Sequence, residues 1–204
     1  MTKCLIYYTD NHIDENLRQV CAGLLKKTGI PIVSVSHKPI GLGKNIVVRG
    51  LERSDSSIFT QIVIGCENTD AEIVYLVEHD VLYHSSHFEF IPPDDCFYYN
   101  LNRWRLRASD GQASFWLPAK ICGRSQIIAN RLLLADHYRT RNKIRKKSFL
   151  SQCPNIDIRH EDNFKNKGNE FENRRGRKEF VLSDEIPFWG HTKGRYKEFI
   201  KELS

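Results

Sequence analysis

The chain has 204 residues, 40% of them hydrophobic and 27% charged, and a formal net charge of +6. That length buries a sizeable core, and no apolar run approaches the ~20 residues a bilayer span requires. Six scattered cysteines (Cys4, Cys21, Cys66, Cys96, Cys122, Cys153) form no CxxC pair, and the N-terminus enters a strand-like stretch with no signal-peptide pattern. These features exclude a disulfide scaffold or zinc ribbon and predict reduced thiols in a cytoplasmic protein. The basic balance favours polyanionic partners: nucleotides, nucleic acid or acidic glycans.

Residues 3–8 read as a first strand that stops at the turn- and cap-forming run Thr9-Asp10-Asn11. A helix follows, with Ile13, Leu17, Val20, Cys21, Leu24 and Leu25 on one face, acids at its start, Lys26 and Lys27 at its end, and Gly29 as its stop. Residues 30–36 form a second strand, which implies a right-handed crossover and a parallel pair. A loop carrying Lys38, Gly41, Gly43 and Lys44 comes next, then a short strand at 46–48. Ser54-Asp55 cap a second helix with the face Ile58, Phe59, Ile62, Val63, Cys66. The run Ile73-Val74-Tyr75-Leu76-Val77 reads as a strand buried on both faces, and it ends in Glu78-His79-Asp80. Strand alternation places Glu78 and Asp80 on one side and His79 on the other, at the edge where open α/β sheets bind ligands.

After Asp80 the pattern changes. Residues 97–104 and 113–117 read as antiparallel, aromatic-rich strands around the turn Ser109-Asp110-Gly111. Residues 126–144 read as a long helix with a basic far end, and 162–178 as a polar, mobile loop. Phe188-Trp189-Gly190-His191 precedes a short amphipathic helix at 196–203. There is no internal repeat and no second hydrophobic unit, so one domain over 1–204 is expected.

The strand–helix–strand start with its Thr9-Asp10 edge, the spaced acidic pair and the aromatic β insertion together resemble the GT-A class of nucleotide-sugar glycosyltransferases. Tyr98-Tyr99-Asn100-Leu101-Asn102-Arg103-Trp104 and Asp157-Ile158-Arg159-His160 resemble pieces of small bacterial or phage members. The fold implied is a Rossmann-type α/β domain with a mostly parallel central sheet flanked by helices and an antiparallel insertion. Its nucleotide-sugar-binding half would be 1–83 and its acceptor-side half 84–204. Glu78-His79-Asp80 stands where that class has Asp-X-Asp. The resemblance implies a Mn²⁺ or Mg²⁺ held by Glu78 and Asp80, with His191 completing the site.

Such a cation takes up charge on the departing diphosphate of a nucleotide-diphospho-sugar. Thr9, Asp10 and Asn11 suit either the nucleoside or a plain helix cap. Lys38 and Lys44 are candidates for the diphosphate, or ordinary solvated lysines. Asp157 and His160 lead the candidates for acceptor deprotonation, ahead of Asp95 and Asp136. Trp104 and Trp116 suit a stacking platform or plain core packing. Arg141, Arg145 and Lys146 suit an acceptor such as a hydroxymethylated base in DNA, or simply complement a helix end. A glycan or small-molecule acceptor competes with DNA. Two further readings are a nucleotidyltransferase, whose glycine-rich, lysine-bearing loop is missing after the first strand, and a non-catalytic nucleic-acid-binding protein.

Overall fold

A computed structural model of the chain describes residues 1–116, 123–161 and 180–204. In β1 (Lys3–Thr9) every residue after Lys3 is buried, so the strand needs cover on both faces. The chain leaves it through α1 (Glu15–Lys27), whose cap is Asp14: its carboxylate accepts the Leu17 N–H. β2 (Ile32–Ser36) and β3 (Lys44–Val47) lie successively outward of β1, all parallel. Then α2 (Asp55–Glu67), capped by Ser54, carries the chain back to β4 (Ile73–Glu78), which pairs with β1 on its other side. The order of connection reverses between β1 and β4, where open α/β sheets form a binding crevice at their carboxyl ends.

A two-residue turn separates β4 from β5 (Val81–Leu82), which starts a second sheet. The expected strand at 97–104 is two strands. β6 (Phe97–Asn100) stays in the first sheet and β7 (Arg103–Arg107) belongs to the second. The Asn100 side-chain oxygen accepts the Asn102 N–H at 3.0 Å and the Ser151 N–H at 3.2 Å, which turns the chain between them. β8 (Ala113–Phe115) pairs antiparallel with β7, as the turn at Ser109-Asp110-Gly111 predicts.

The helix expected at 126–144 is also corrected. Its first turn is β9 (Ile127–Asn130), antiparallel to both β4 and β6 in the slot between them. α3 (Arg131–Thr140) starts only where Asn130 caps it, accepting the Leu132 and Leu133 N–H groups. It ends at Arg141, and the basic run beyond becomes β10 (Lys146–Phe149), parallel to β6 at the sheet edge. β11 (Asn155–Arg159), β12 (Val181–Ser183), the hairpin β13 (Glu185–Ile186) and β14 (Gly190–His191), and α4 (Tyr196–Glu202) complete the described chain.

The first sheet has seven strands in the order β10-β6-β9-β4-β1-β2-β3, and the second five in the order β12-β8-β7-β11-β5. One face of the large sheet (Ile6, Val35, Leu76, Ile127) packs under Ile62 and Cys66 of α2 and Leu134 and Tyr138 of α3. The other face (Leu5, Tyr7, Tyr75, Val77) packs against Ala22 and Leu25 of α1 and against Tyr83 and Phe88. The opposite flank of α1 (Leu17, Val20, Cys21) packs on Leu106, Ile156 and Ile158 of the second sheet and on Phe199 and Ile200 of α4. α1 is therefore a shared layer, apolar toward both sheets. Cys4, Cys21, Cys66, Cys96 and Cys153 are free and buried; Cys122 and the expected loop at 162–178 lie outside the described residues. No helix among the described residues is long and apolar enough to cross a membrane.

Candidate active site

The carboxyl ends of β1 and β4 open into a cleft of about 670 Å³. Its lining includes Tyr8, Thr9, Asp10, Glu78, His79 and Asp80 from those two strand ends. Tyr8 and Glu78 are register partners, and the Tyr8 phenol donates to Glu78 Oε1 at 2.5 Å. Burial and the neighbouring Asp80 charge push the Glu78 carboxyl up to about 7, against the pull of the Tyr8 hydrogen bond.

Because β4 ends at Glu78, the strand alternation expected for Glu78-His79-Asp80 does not persist through the turn. One Glu78 oxygen accepts from Tyr8. His79 and Asp80 instead meet His160, which follows β11; one ligand atom from each lies within 4.8 Å of the others. His160 Nε2 is 3.6 Å from Asp80 Oδ2, and the Ile158 N–H donates to the Asp80 carbonyl at 2.9 Å, tying β11 to the turn. Burial alone would raise the Asp80 carboxyl, but the His160 hydrogen bond and the two imidazoles hold it below its usual range. Burial pushes the His79 imidazole down, although Asp80 and Asp10 pull the other way. The Thr9 hydroxyl engages His79 Nδ1 and fixes the ring. Two imidazoles and a carboxylate at this spacing fit a divalent cation. Of the expected cation ligands, the structure brings Asp80 together with His79 and His160, while Glu78 lines the same cleft and accepts from Tyr8. The third expected ligand, His191, is exposed on the β13–β14 hairpin, where it pairs with Glu185, outside the cleft lining.

Asp10 lines the cleft and grips Arg53. Burial alone would raise its carboxyl; the His12 N–H, His79 and Arg53 together hold it below the usual range. Asn11, at φ 65°, turns its side chain away to accept the His37 and Lys38 N–H groups, both at 2.9 Å. It shapes the rim and does not line the cleft, and neither does the exposed Lys38. Lys44 begins β3 at the opposite, amino edge of the parallel strands and donates to the Asn68 carbonyl at 3.1 Å. The Gly41–Gly43 loop sits at that same edge, with Gly43 pressed against Ile32 where no Cβ fits.

The arginines of the wall from the second sheet were not foreseen. Arg103 and Arg105 of β7 and Asp157 and Arg159 of β11 share one face and line the cleft, while Leu106, Ile156 and Ile158 face the core. Arg159 reaches Asp157 Oδ2 at 2.8 Å, and Arg103 Nη1 lies 3.5 Å from the same oxygen. The Asp157 carboxylate, expected as a base, is engaged by these guanidinium groups. A Cβ on Gly123 would lie 2.6 Å from Arg103 Nη1, so the glycine gives that side chain its place. The signal for this wall was present in the period-two pattern Arg103-Trp104-Arg105-Leu106-Arg107 and Ile156-Asp157-Ile158-Arg159.

At the far end Arg124, Arg141 and Lys146 line the cleft with Phe59, Tyr99 and Tyr138. Arg145 is exposed and lies outside the lining. Trp116 is buried with the Arg105 guanidinium over its ring, and Trp104 packs on the second-sheet core and on Phe115; neither lines the cleft.

No family model matches the chain, and no curated protein matches its sequence. Among solved structures, bifunctional IspDF from Campylobacter jejuni is 12% identical with a TM-score of 0.47, over 74% of this chain and 50% of that one. The chain thus spans about half the length of that protein. The inositol-1-phosphate CTP transferase from T. maritima is 12% identical with a TM-score of 0.47, over 86% and 97% of the two chains. A glycosyltransferase involved in glycosylation of the major capsid of PBCV-1 is 8% identical with a TM-score of 0.43, over 70% and 68%.

Proposed function

We propose that the protein is a divalent-cation-dependent glycosyltransferase that moves a sugar from a nucleotide-diphospho-sugar to an acceptor hydroxyl. The supporting observation is the His79, Asp80, His160 group at the topological switch point: His79 and Asp80 line a cleft walled by arginines, and His160 stands behind them within reach of Asp80. In the reaction the bond from the anomeric carbon to the diphosphate oxygen breaks, and a bond to the acceptor oxygen forms. The acceptor proton passes to a base, and the nucleoside diphosphate leaves. Two imidazoles with one carboxylate suit Mn²⁺ better than Mg²⁺, and a cation held by His79, Asp80 and His160 would offset charge on the departing diphosphate. Thr9 orients His79, and the Ile158–Asp80 backbone bond keeps His160 in reach. Arg103, Arg105 and Arg159 supply planar donors suited to phosphate oxygens. Asp157 holds Arg103 and Arg159 in place. The run Thr9-Asp10-Asn11-His12-Ile13-Asp14 between β1 and α1 carries no glycine and no lysine, which favours this reading over nucleotidyl transfer.

The test is thermal stabilisation by UDP-, GDP- and dTDP-sugars and by the corresponding triphosphates, each with and without Mn²⁺. A sugar nucleotide present at ~100 times its dissociation constant should stabilise by roughly 2.7 kcal/mol with Mn²⁺. The Asp80→Asn variant should keep its fold and lose that gain. Equal stabilisation of Asp80→Asn and wild type sinks the cation role. Stabilisation by a triphosphate alone, with pyrophosphate released on turnover, replaces the reading with nucleotidyl transfer.

A further inference from the structure

The cleft has a second basic group besides the arginine wall. The candidate cation group and the arginine wall stand at the ends of β4, β7 and β11. Arg124, Arg141 and Lys146 converge on the other side of β4, beside β9, β6 and β10. They come from three separate segments: the residues before β9, the end of α3 and the first residue of β10. Phe59 lies beneath two guanidinium groups, with Arg141 4.3 Å and Arg124 5.6 Å from its ring centroid, and Lys146 is 5.8 Å from that of Tyr99. Arg124 pairs with Asp55 at 2.9 Å. Among the described residues no carboxylate meets Arg141 or Lys146.

The backbone gives a second, independent observation. Arg141 sits at φ 61°, ψ 22°, closing α3 in the left-handed region that glycine or asparagine ordinarily takes. A cation at a helix carboxyl end complements the helix dipole, but that benefit does not require an arginine in a strained conformation. Nor does it account for Lys146, which is on a strand.

We propose that this end of the cleft is a phosphate subsite for the acceptor: Arg141 and Lys146, with Arg124, bind a phosphate ester group that the acceptor carries, beside the aromatic rings. The proposal rests on the donor reading above only for which substrate the phosphate belongs to. Phosphate on a small acceptor and phosphate in a nucleic-acid strand present the same chemistry here, and the test separates them.

The experiment is calorimetric titration of the full chain with glycerol 3-phosphate and with a short single-stranded oligonucleotide. Mn²⁺ and whichever nucleoside diphosphate binds are present at saturation. Wild type should bind one of the two probes with nucleotide in place. Arg141→Gly and Lys146→Ala should each weaken that binding by about tenfold or more, since each removes a charge-assisted contact. Nucleoside diphosphate affinity should not change. Arg141→Gly should also melt no lower than wild type, because glycine relieves the left-handed strain, so its loss of binding is not a loss of fold. Binding of glycerol 3-phosphate supports a small phosphorylated acceptor. Oligonucleotide binding with a steep salt dependence supports a nucleic-acid acceptor. Unchanged phosphate binding in both variants overturns the subsite, as does displacement of the probe by nucleoside diphosphate. If no nucleotide binds while phosphate binding stays sensitive to Arg141→Gly, the donor reading fails and the subsite stands.

Discussion

His87 is a fully buried imidazole whose Nδ1 meets the Asn100 amide nitrogen at 3.1 Å and whose ring stacks on Phe149. Burial pushes it down to about 3, so it stays neutral in the folded chain. An unfolded histidine titrates near 6.5, and between there and pH 3 the unfolded state therefore binds the extra proton. This contribution to stability is complete above pH 6.5 and erodes as the pH falls, by up to about 1.4 kcal/mol per pH unit. Urea unfolding of wild type and His87→Gln at pH 7.5, 5.5 and 4.5 checks this. The wild type should lose stability more steeply, and parallel curves would count against it. Single side chains were only partly legible in the sequence. Asp80 could be singled out because acids at the end of an apolar strand are unusual. His79 was misplaced because alternation was carried one residue past the end of β4, where the backbone already turns.

At the scale of elements, the β7–β8 turn anchors the C-terminal segment. The Asp110 carbonyl accepts the Gly194 N–H at 2.7 Å, and the Gly111 carbonyl accepts the Thr192 hydroxyl at 2.9 Å. Gly111 has φ 70°, and a Cβ there would run into the Thr192 carbonyl. Gly111→Ala should therefore cost about 2–4 kcal/mol in chemical denaturation and speed proteolysis within the β13–β14 hairpin. Unchanged stability and cleavage would show that the turn bears no such load. The sequence marked Gly111 as a turn residue but held no sign of what packs on it. Strands and helices of the first 80 residues were legible because local pattern and final environment agree there. Ile127–Asn130 were not: Ile127 and Ile128 also fit a helical stripe, and the gap between β4 and β6 claims them as a strand.

For the whole molecule, α1 decides whether the two sheets are one unit. Its flanks pack on both, and Phe199 of α4, 2% exposed, closes the layer over Leu17 and Cys21. We expect one cooperative unfolding transition, and Phe199→Ala to lower stability by about 3–5 kcal/mol without splitting it. Far-ultraviolet circular dichroism and tryptophan fluorescence should then give coincident curves. Two separated transitions would mean that the halves fold independently.

The sequence by itself determined the α/β class, the parallel strand–helix start and the edge at which the cleft opens, because these follow from periodicity and caps within a few residues of each position. Only the tertiary structure decided which side chains meet there. His160 reaches Asp80 through the β11–β5 pairing, the arginine wall through the β7–β11 register, and Arg141 through the left-handed end of α3. Those contacts join residues tens of positions apart. Their partners are set by strand order and register, which no local pattern of residues encodes.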